Sequence, residues 1–220
     1  MSNDFITVVI PTYNGEAFIR ECLQSISIQK VPHEVIVVDD ISTDNTTVIA
    51  SEMGAYVIIN DIHRGQVAAK NTGIRNMSGN YFLTIDQDDR LKPDALENLL
   101  GEIKKNNAEI VMAKLEDFGE SEEDKAFCHK EAFWGILTGA ALFSREVFDI
   151  IGLFDESVIT GDVIDLLDRC RKNHVDIFKS EIVCCERRIH SGNFGRKNQK
   201  DEYRNYAKLL RKQFLENLRS

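Results

Sequence analysis

Short apolar runs alternate with helical patterns along the first hundred residues. Four such runs, rich in β-branched residues, cover residues 5–10, 35–38, 55–59 and 81–86. Nearly continuous apolarity is typical of strands that are buried on both faces of a parallel sheet. Because strand and helix alternate four times, the pattern predicts an α/β fold with a mostly parallel central sheet and helices on both faces.

The pattern is less regular further along the chain. Ser42 and Thr43 suit the cap of the second helix, and Pro93 suits the first turn of a helix that ends near Asn106. Later segments predict strands at 110–118, 175–178 and 181–185, a Gly-interrupted apolar segment at 134–143, and helices at 147–151 and 162–172. A final pattern predicts a C-terminal amphipathic helix over 196–220. Docking on the body, pairing in a homodimer and lying on a membrane surface are three open roles for it.

Composition and charge narrow the class of protein. With 220 residues and 43% hydrophobic content, the chain suits one globular domain. A net charge of -9 disfavours nucleic-acid binding, which needs a basic face. The sequence carries neither a signal-peptide pattern nor an apolar run that is long enough to cross a bilayer. We therefore expect a cytoplasmic protein, with peripheral attachment at the inner face of the membrane as the alternative. Its five cysteines form no C-x-x-C pair, which favours reduced thiols over zinc ligands or disulfides.

The fourth apolar run leads directly into a cluster of carboxylates. Asp86, Asp88 and Asp89 lie within four residues and would repel one another if all were ionised without a cation. Hard oxygen ligands of this kind suit Mg2+ or Mn2+. Since ligands of α/β sheets bind beyond the carboxyl ends of the strands, the cluster predicts a metal-bound phosphate site. The alternative is a polar turn that only caps the next helix.

The motifs in these segments resemble those of the family 2 glycosyltransferases, enzymes of the GT-A fold that use nucleotide-diphospho sugars. Four motifs agree in order and spacing: Val-Val-Ile-Pro-Thr-Tyr-Asn at 8–14, Glu-Val-Ile-Val-Val-Asp-Asp at 34–40 with Ser-Thr-Asp-Asn-Thr at 42–46, Ala-Lys-Asn-Thr-Gly-Ile at 69–74 and Asp-Gln-Asp-Asp at 86–89. Later landmarks extend the resemblance to about residue 193. It implies a single GT-A domain over 1–195, with a nucleotide-sugar-binding half at 1–106 and an acceptor-binding half at 107–195.

The resemblance also implies roles for individual residues. The nucleotide-binding positions are Pro11, Thr12, Tyr13, Asn14, Asp39, Asp40, Lys70, Asp86 and Gln87. Tyr13 would stack on the base, and Asp40 would accept a base N–H. Lys70 stands where the family usually has arginine, and it lacks the planar fork of that residue. Asp88 matches the direct metal ligand, with Asp86 and His190 as further members of the metal site.

An inverting transfer requires one general base, which takes the proton of the acceptor hydroxyl. The resemblance implies an acidic pair ahead of a helix, but the direct alignment puts Val163 at the base position. One inserted residue puts Asp162 there instead, and we favour Asp162 with Asp165 in reserve. Ile41 replaces a common glycine after the two aspartates, and isoleucine would tolerate a positive φ badly.

The sequence therefore predicts a metal-dependent inverting glycosyltransferase. We expect it to move a sugar from a nucleotide-diphospho-sugar, by family frequency a UDP-sugar, to a glycan or lipid-linked acceptor in cell-surface polysaccharide synthesis. The alternative is a catalytically impaired nucleotide-sugar-binding or regulatory homologue, which Ile41, Lys70 and Val163 motivate. A Rossmann dehydrogenase is disfavoured because no Gly-rich turn follows the first strand.

Overall fold

The computed structural model describes residues 4–134, 138–158 and 161–193, so the C-terminal helix predicted for 196–220 lies outside the described residues. The strands are β1 (Ile6–Thr12), β2 (His33–Asp39), β3 (Tyr56–Ile59), β4 (Tyr81–Thr84), β5 (Arg90–Leu91), β6 (Ile110–Phe118), β7 (Phe133–Trp134), β8 (Ala141–Ser144) and β9 (Ile177–Arg188). The helices are α1 (Ile19–Ser27), α2 (Thr46–Glu52), α3 (Gln66–Asn76), α4 (Ala95–Lys105), α5 (Glu122–Lys125), α6 (Glu146–Ile151) and α7 (Asp162–Lys172).

One mixed sheet contains these strands in the order β3-β2-β1-β4-β8-β6-β9-β5, and β7 pairs with β6. Strands β2 and β4 flank β1 in parallel, and β3 is parallel to β2. Strand β8 is antiparallel to both β4 and β6, while β6 and β9 are parallel. The carboxyl ends of β1, β2 and β4 consequently meet at one edge of the sheet, which is where the predicted nucleotide and metal residues follow.

Both faces of the sheet are covered by helices, as the continuous apolarity of β1 predicts. Val8 and Ile10 pack in one hydrophobic cluster with α1 and α4. Val9, which points to the opposite face, packs in a second cluster with residues of α3, α6 and α7. In the described part of the chain, no helix is long and apolar enough to cross a membrane.

Three local predictions were wrong. The two short strands predicted at 175–178 and 181–185 form the single strand β9, because shifts in its register against β6 absorb the polar residues between them. Helix α4 begins at Ala95, after Asp94 in a left-handed conformation, so Pro93 precedes the helix. Helix α2 has Asn45 at its N-cap, where Asp44 accepts a hydrogen bond from the Thr46 amide. Ser42 and Thr43 therefore do not cap it.

Gly73 lets α3 lie close to β1. A Cβ at this position would meet Cγ1 of Val9 at 2.4 Å, whereas a Cβ at Gly101 in α4 would meet nothing within 4 Å. We expect Gly73→Ala to lower the free energy of unfolding by about 2 kcal/mol through overpacking. Gly101→Ala should raise it by roughly 0.5–1 kcal/mol, because alanine favours an exposed helix. Urea unfolding of both variants measures the difference, and equal effects would contradict the close contact.

Candidate functional site

A turn beyond β4 gathers the three predicted carboxylates. The Ile85 amide still donates to the Val9 carbonyl at 3.0 Å, and the chain then turns so that the Asp89 amide donates to the Asp86 carbonyl at 3.1 Å. Strand β4 itself ends at Thr84, two residues earlier than predicted. Within this turn, one oxygen each from Asp86, Asp88 and Asp89 lies within 4.8 Å of the others.

The electrostatics of the cluster favour a cation. Burial, opposed by the Lys70 ammonium and reinforced by Asp88 and Asp162, raises the pKa of Asp86 to about 6. Burial and the neighbouring charges of Asp86 and Asp88 raise the pKa of Asp89 well above its ordinary value. A divalent cation with oxygen ligands would neutralise this repulsion, so the residues present fit a metal ion.

Polar side chains hold the cluster from several sides. His190 Nε2 lies 2.9 Å from Asp88 Oδ2, and the side-chain Nδ2 of Asn193 donates to the same oxygen at 3.2 Å. Gln66, at the start of α3, donates to Asp86. Asn193 and Gln66 were not predicted from the sequence, although Gln66 directly follows the glycine that opens α3 and so lies at the carboxyl edge of the sheet.

Arg188 also holds this turn in place, and no role was predicted for it from the sequence. Its amide donates to Asp89 Oδ1 at 2.9 Å, and its Nε donates to the Asp88 carbonyl at 3.0 Å. The guanidinium is buried, and it lies over the rings of Phe18 and Phe118, with centroid distances of 5.2 and 4.6 Å. The turn is therefore attached to β9 through both the backbone and the side chain of Arg188.

Gln87 joins this turn to the loop that follows β1. Its Oε1 accepts hydrogen bonds from the Thr12 hydroxyl and, at 3.1 Å, from the Tyr13 amide. Tyr13 is 49% exposed, so its ring is available to a ligand. Pro11 lies within β1, where it pairs with Val38 of β2.

Asn14 and Asp39 connect the loops after β1 and β2. The Asn14 amide donates to the Ser42 hydroxyl at 2.8 Å, and its side-chain oxygen accepts from the Thr43 amide at 2.8 Å. Asp39 in turn accepts from the Ser42 amide at 2.9 Å. Both side chains thus bond to the protein, and their predicted contact with a nucleotide stays a prediction.

Asp40 holds the loop between β3 and α3. Its carboxylate accepts from the Asn60 side chain at 2.8 Å, from the Gly65 amide at 2.7 Å and from the Arg64 amide at 3.0 Å. Burial opposes ionisation, but these hydrogen bonds together lower the pKa of Asp40 below its ordinary value. His63 Nδ1 lies 2.8 Å from the same carboxylate. The carboxylate expected to accept a base N–H is therefore already surrounded by donors.

Lys70 and Asp162 form an ion pair beside the metal cluster. Lys70 Nζ lies 2.8 Å from Asp162 Oδ2, and their side chains are 5% and 14% exposed. The Val163 side chain is buried in the core with Leu166. Two alignments put either Val163 or Asp162 at the position of the base. In the structure Val163 is buried, whereas the carboxylate of Asp162 contacts Lys70. Asp165 pairs with Arg169 at 3.0 Å along α7.

Asn71, next to Lys70, attaches α3 to the segment before α7. Its side-chain amide donates to the Phe154 carbonyl at 2.9 Å and accepts from the Phe154 amide at 3.0 Å. Glu156 accepts from Asn71 at 3.0 Å and from Arg64 at 2.7 Å. These bonds give the Lys-Asn motif a structural reason, since they fix the position of Lys70 relative to Asp162.

Ile41 has a φ of +69°, the left-handed conformation that glycine favours. We therefore expect Ile41→Gly to be more stable than Ile41→Ala by roughly 1 kcal/mol, because a Cβ is costly in that conformation. At Val48, an exposed residue of α2, the order should be reversed, with alanine more stable by about 1 kcal/mol. Chemical denaturation of the four variants checks this, and the same order at both positions would contradict the strain at Ile41.

The mixed sheet, with its parallel strands β1 to β4 and its antiparallel additions, matches solved structures of the GT-A fold. S. aureus TarS 1-349 in complex with UDP-GlcNAc superposes with a TM-score of 0.72 at 20% identity, covering 91% of this chain and 64% of that chain. Mannosyltransferase PcManGT from Pyrobaculum calidifontis, in complex with GDP-Man and Mn2+, gives a TM-score of 0.69 at 22% identity, covering 94% of this chain and 64% of that one. The predicted fold is thus confirmed.

The sequence comparison gives the family. Residues 7–153 match the family described as Glycosyl transferase family 2. Glycosyltransferase GlyA of Streptococcus pneumoniae serotype 4 is 35% identical over 166 residues, which are 73% of this chain and 23% of that protein. The chain belongs to glycosyl transferase family 2, as the resemblance of its motifs implied, and it spans less than a quarter of the length of GlyA.

Proposed function

We propose that the chain is a metal-dependent inverting glycosyltransferase that moves a sugar from a nucleotide-diphospho-sugar, in particular a UDP-sugar, to a glycan or lipid-linked acceptor. The observation that carries this proposal is the proximity of three groups at one edge of the sheet: the carboxylates at 86–89, the exposed Tyr13 and the Lys70–Asp162 pair. Such a transfer needs a metal site, a surface that binds the nucleobase and a general base, and these three groups would supply them in that order.

Asp86 and Asp88 would hold Mn2+ or Mg2+, and His190 would orient Asp88 through their 2.9 Å contact. When bound, the cation would neutralise the charge that develops on the leaving diphosphate. Tyr13 would stack on the nucleobase, and Gln87 keeps the Tyr13 loop in register with the carboxylates. Hydrogen bonds from Gln66 and Asn193 hold two of these carboxylates in fixed directions, which reduces the cost of ordering the site.

Asp162 would act as the general base. In the transfer, the acceptor oxygen forms a bond to the anomeric carbon, the bond to the diphosphate oxygen breaks, and the acceptor proton moves to the Asp162 carboxylate. The Asp162 carboxylate is occupied by its ion pair with Lys70, so Lys70 has to leave Asp162 before the carboxylate can take the acceptor proton. The diphosphate of the donor is the natural competing anion for Lys70. Binding of the donor diphosphate would therefore release the base.

We propose that the acceptor is an intermediate of polysaccharide synthesis. It would bind beside the segment between β6 and β7. Asp117 at the end of β6 is fixed there by Arg187 at 2.8 Å and by the His129 amide at 2.9 Å. This anchoring, in which burial opposes and hydrogen bonds favour ionisation, lowers the pKa of Asp117. Binding residues often lie on loops that a rigid scaffold positions, and Asp117 anchors such a loop here.

Turnover tests the proposal. The purified chain should be incubated with Mn2+ and a panel of nucleotide sugars, and release of the nucleoside diphosphate should be followed with and without candidate acceptors. We expect release from one donor and its loss on chelation. Binding of a nucleotide with metal but no turnover with any donor would instead support the impaired homologue, whose best structural argument is the closed Lys70–Asp162 pair.

A further inference from the structure

The loop between β3 and α3 presents a histidine beside the tyrosine that is proposed to stack on the base. The His63 side chain is 61% exposed, and its ring centroid lies 4.8 Å from that of Tyr13, with a 54° angle between the planes. Two aromatic rings at this angle form a corner rather than a flat stack. A planar ligand that stacks on Tyr13 can therefore meet the edge of the imidazole.

The His63 ring is held in a defined orientation. Nδ1 lies 2.8 Å from Asp40 Oδ2 and 3.2 Å from the Asp40 carbonyl. The loop is fixed at both ends, because the Asn60 amide donates to the Asp39 carbonyl at 2.9 Å and the Arg64 side chain donates to Glu156 at 2.7 Å. His63 thus belongs to a built structure and not to a freely moving side chain.

The chemistry of the imidazole follows from this contact. A carboxylate only accepts hydrogen bonds, so Nδ1 carries the proton and donates to Asp40. In a neutral imidazole the other nitrogen, Nε2, is then an acceptor. Asp40 itself has no free approach for a base N–H, because Asn60, Arg64 and Gly65 already donate to its two oxygens. His63, which contacts Asp40 through Nδ1, can offer the base N–H an acceptor at Nε2 in place of the Asp40 carboxylate.

We propose that His63 is a specificity-determining residue that accepts the imino N–H of the donor nucleobase, with Asp40 as the positioning residue that fixes its tautomer. The inference rests on the proposed function and deepens it. A hydrogen-bond acceptor at His63 Nε2 favours bases that carry an N–H beside a carbonyl group, such as uracil and guanine. It disfavours cytosine, because the corresponding ring nitrogen of cytosine is itself an acceptor. Tyr13 supplies stacking that all bases share, and His63 supplies the discrimination.

Calorimetric binding of UDP with Mn2+ to the full chain tests this role. The variants are His63→Phe, which keeps an aromatic ring without nitrogen, and His33→Ala as a control, since His33 begins β2 at the opposite end of the strand. Losing one hydrogen bond should weaken UDP binding to His63→Phe about tenfold. Pyrophosphate with Mn2+, which lacks a base, should bind the variant and the wild type equally.

A modified ligand isolates the proposed hydrogen bond. UDP methylated at N3 has no imino proton, so it should bind the wild type about tenfold more weakly than UDP does and should bind His63→Phe as UDP does. Equal weakening of pyrophosphate binding, or an undiminished preference for UDP over its N3-methyl form in His63→Phe, would overturn the inference while leaving the proposed function intact. If the wild type binds no nucleotide diphosphate, the proposed function fails and the inference fails with it.

Discussion

Asp162→Asn should lower the rate of sugar transfer by about a hundredfold to ten-thousandfold, the usual contribution of a general base. The amide keeps the size of the side chain but cannot take up the acceptor proton. Donor affinity should not fall, because Lys70 loses its intramolecular anion and is free to meet the diphosphate. The rate of transfer should therefore fall while the dissociation constant of the donor does not rise, with single-turnover transfer and calorimetric binding as the two measurements.

Two variants on the same helix make this result specific. Asp168→Asn removes a carboxylate of α7 that pairs with Arg171 at 3.1 Å and Lys172 at 2.8 Å, and it should leave the rate unchanged. Asp165→Asn tests the reserve candidate for the base. If Asp165→Asn abolishes transfer while Asp162→Asn retains it, the assignment of the base to Asp162 is wrong.

Asp88→Asn is expected to abolish the stabilisation of the chain by a nucleotide donor and Mn2+. At a donor concentration of about 100 times the dissociation constant, the wild type should gain about 2.7 kcal/mol of stability. The variant lacks the carboxylate that we propose as the direct ligand, so the gain should be lost. Without metal the effect should have the opposite sign, because removing one charge from the repelling cluster should stabilise the chain.

Thermal denaturation of the wild type and of Asp88→Asn, each with and without Mn2+ plus donor, separates the loss of ligand stabilisation from the relief of charge repulsion. Asp149→Asn, which removes an exposed carboxylate on α6, is the control for net charge and should change neither effect. A variant at position 88 that keeps the full stabilisation by metal and donor would show that Asp88 is not a ligand. A loss of stability without metal would show that its bonds to His190 and Asn193 outweigh the repulsion.

The parts of the fold that follow from local pattern were predictable. The strand β1 is apolar at nearly every position because it is buried on both faces, and the carboxylates after β4 are adjacent in sequence. Strand β9 was not predictable in one piece, since its continuity depends on register shifts against β6 that only the paired strand reveals. The sequence predicted only that Ile41 would be strained if its φ were positive, because the residue type alone does not reveal the backbone conformation.

The candidate site was predictable in its residues and not in their pairings. Lys70 and Asp162 are 92 positions apart along the chain, and their contact depends on how α3 and α7 join the same hydrophobic cluster. Asp40 illustrates the same limit: its acidic character is plain in the sequence, but its hydrogen-bond donors come from a loop 20 to 25 residues further on. His63 was consequently overlooked, because a single histidine in a polar loop carries no pattern.

The clamp that Asn71 makes on Phe154 has a consequence for exchanging parts between relatives. Chimeras that join the first 106 residues of one protein to the remainder of another would pair an asparagine and a lysine of α3 with a foreign backbone and a foreign carboxylate. Helix α3 and the segment around Phe154 that it binds therefore have to come from the same parent protein. A library that respects this linkage should yield folded hybrids at a higher frequency than one cut at the apparent midpoint.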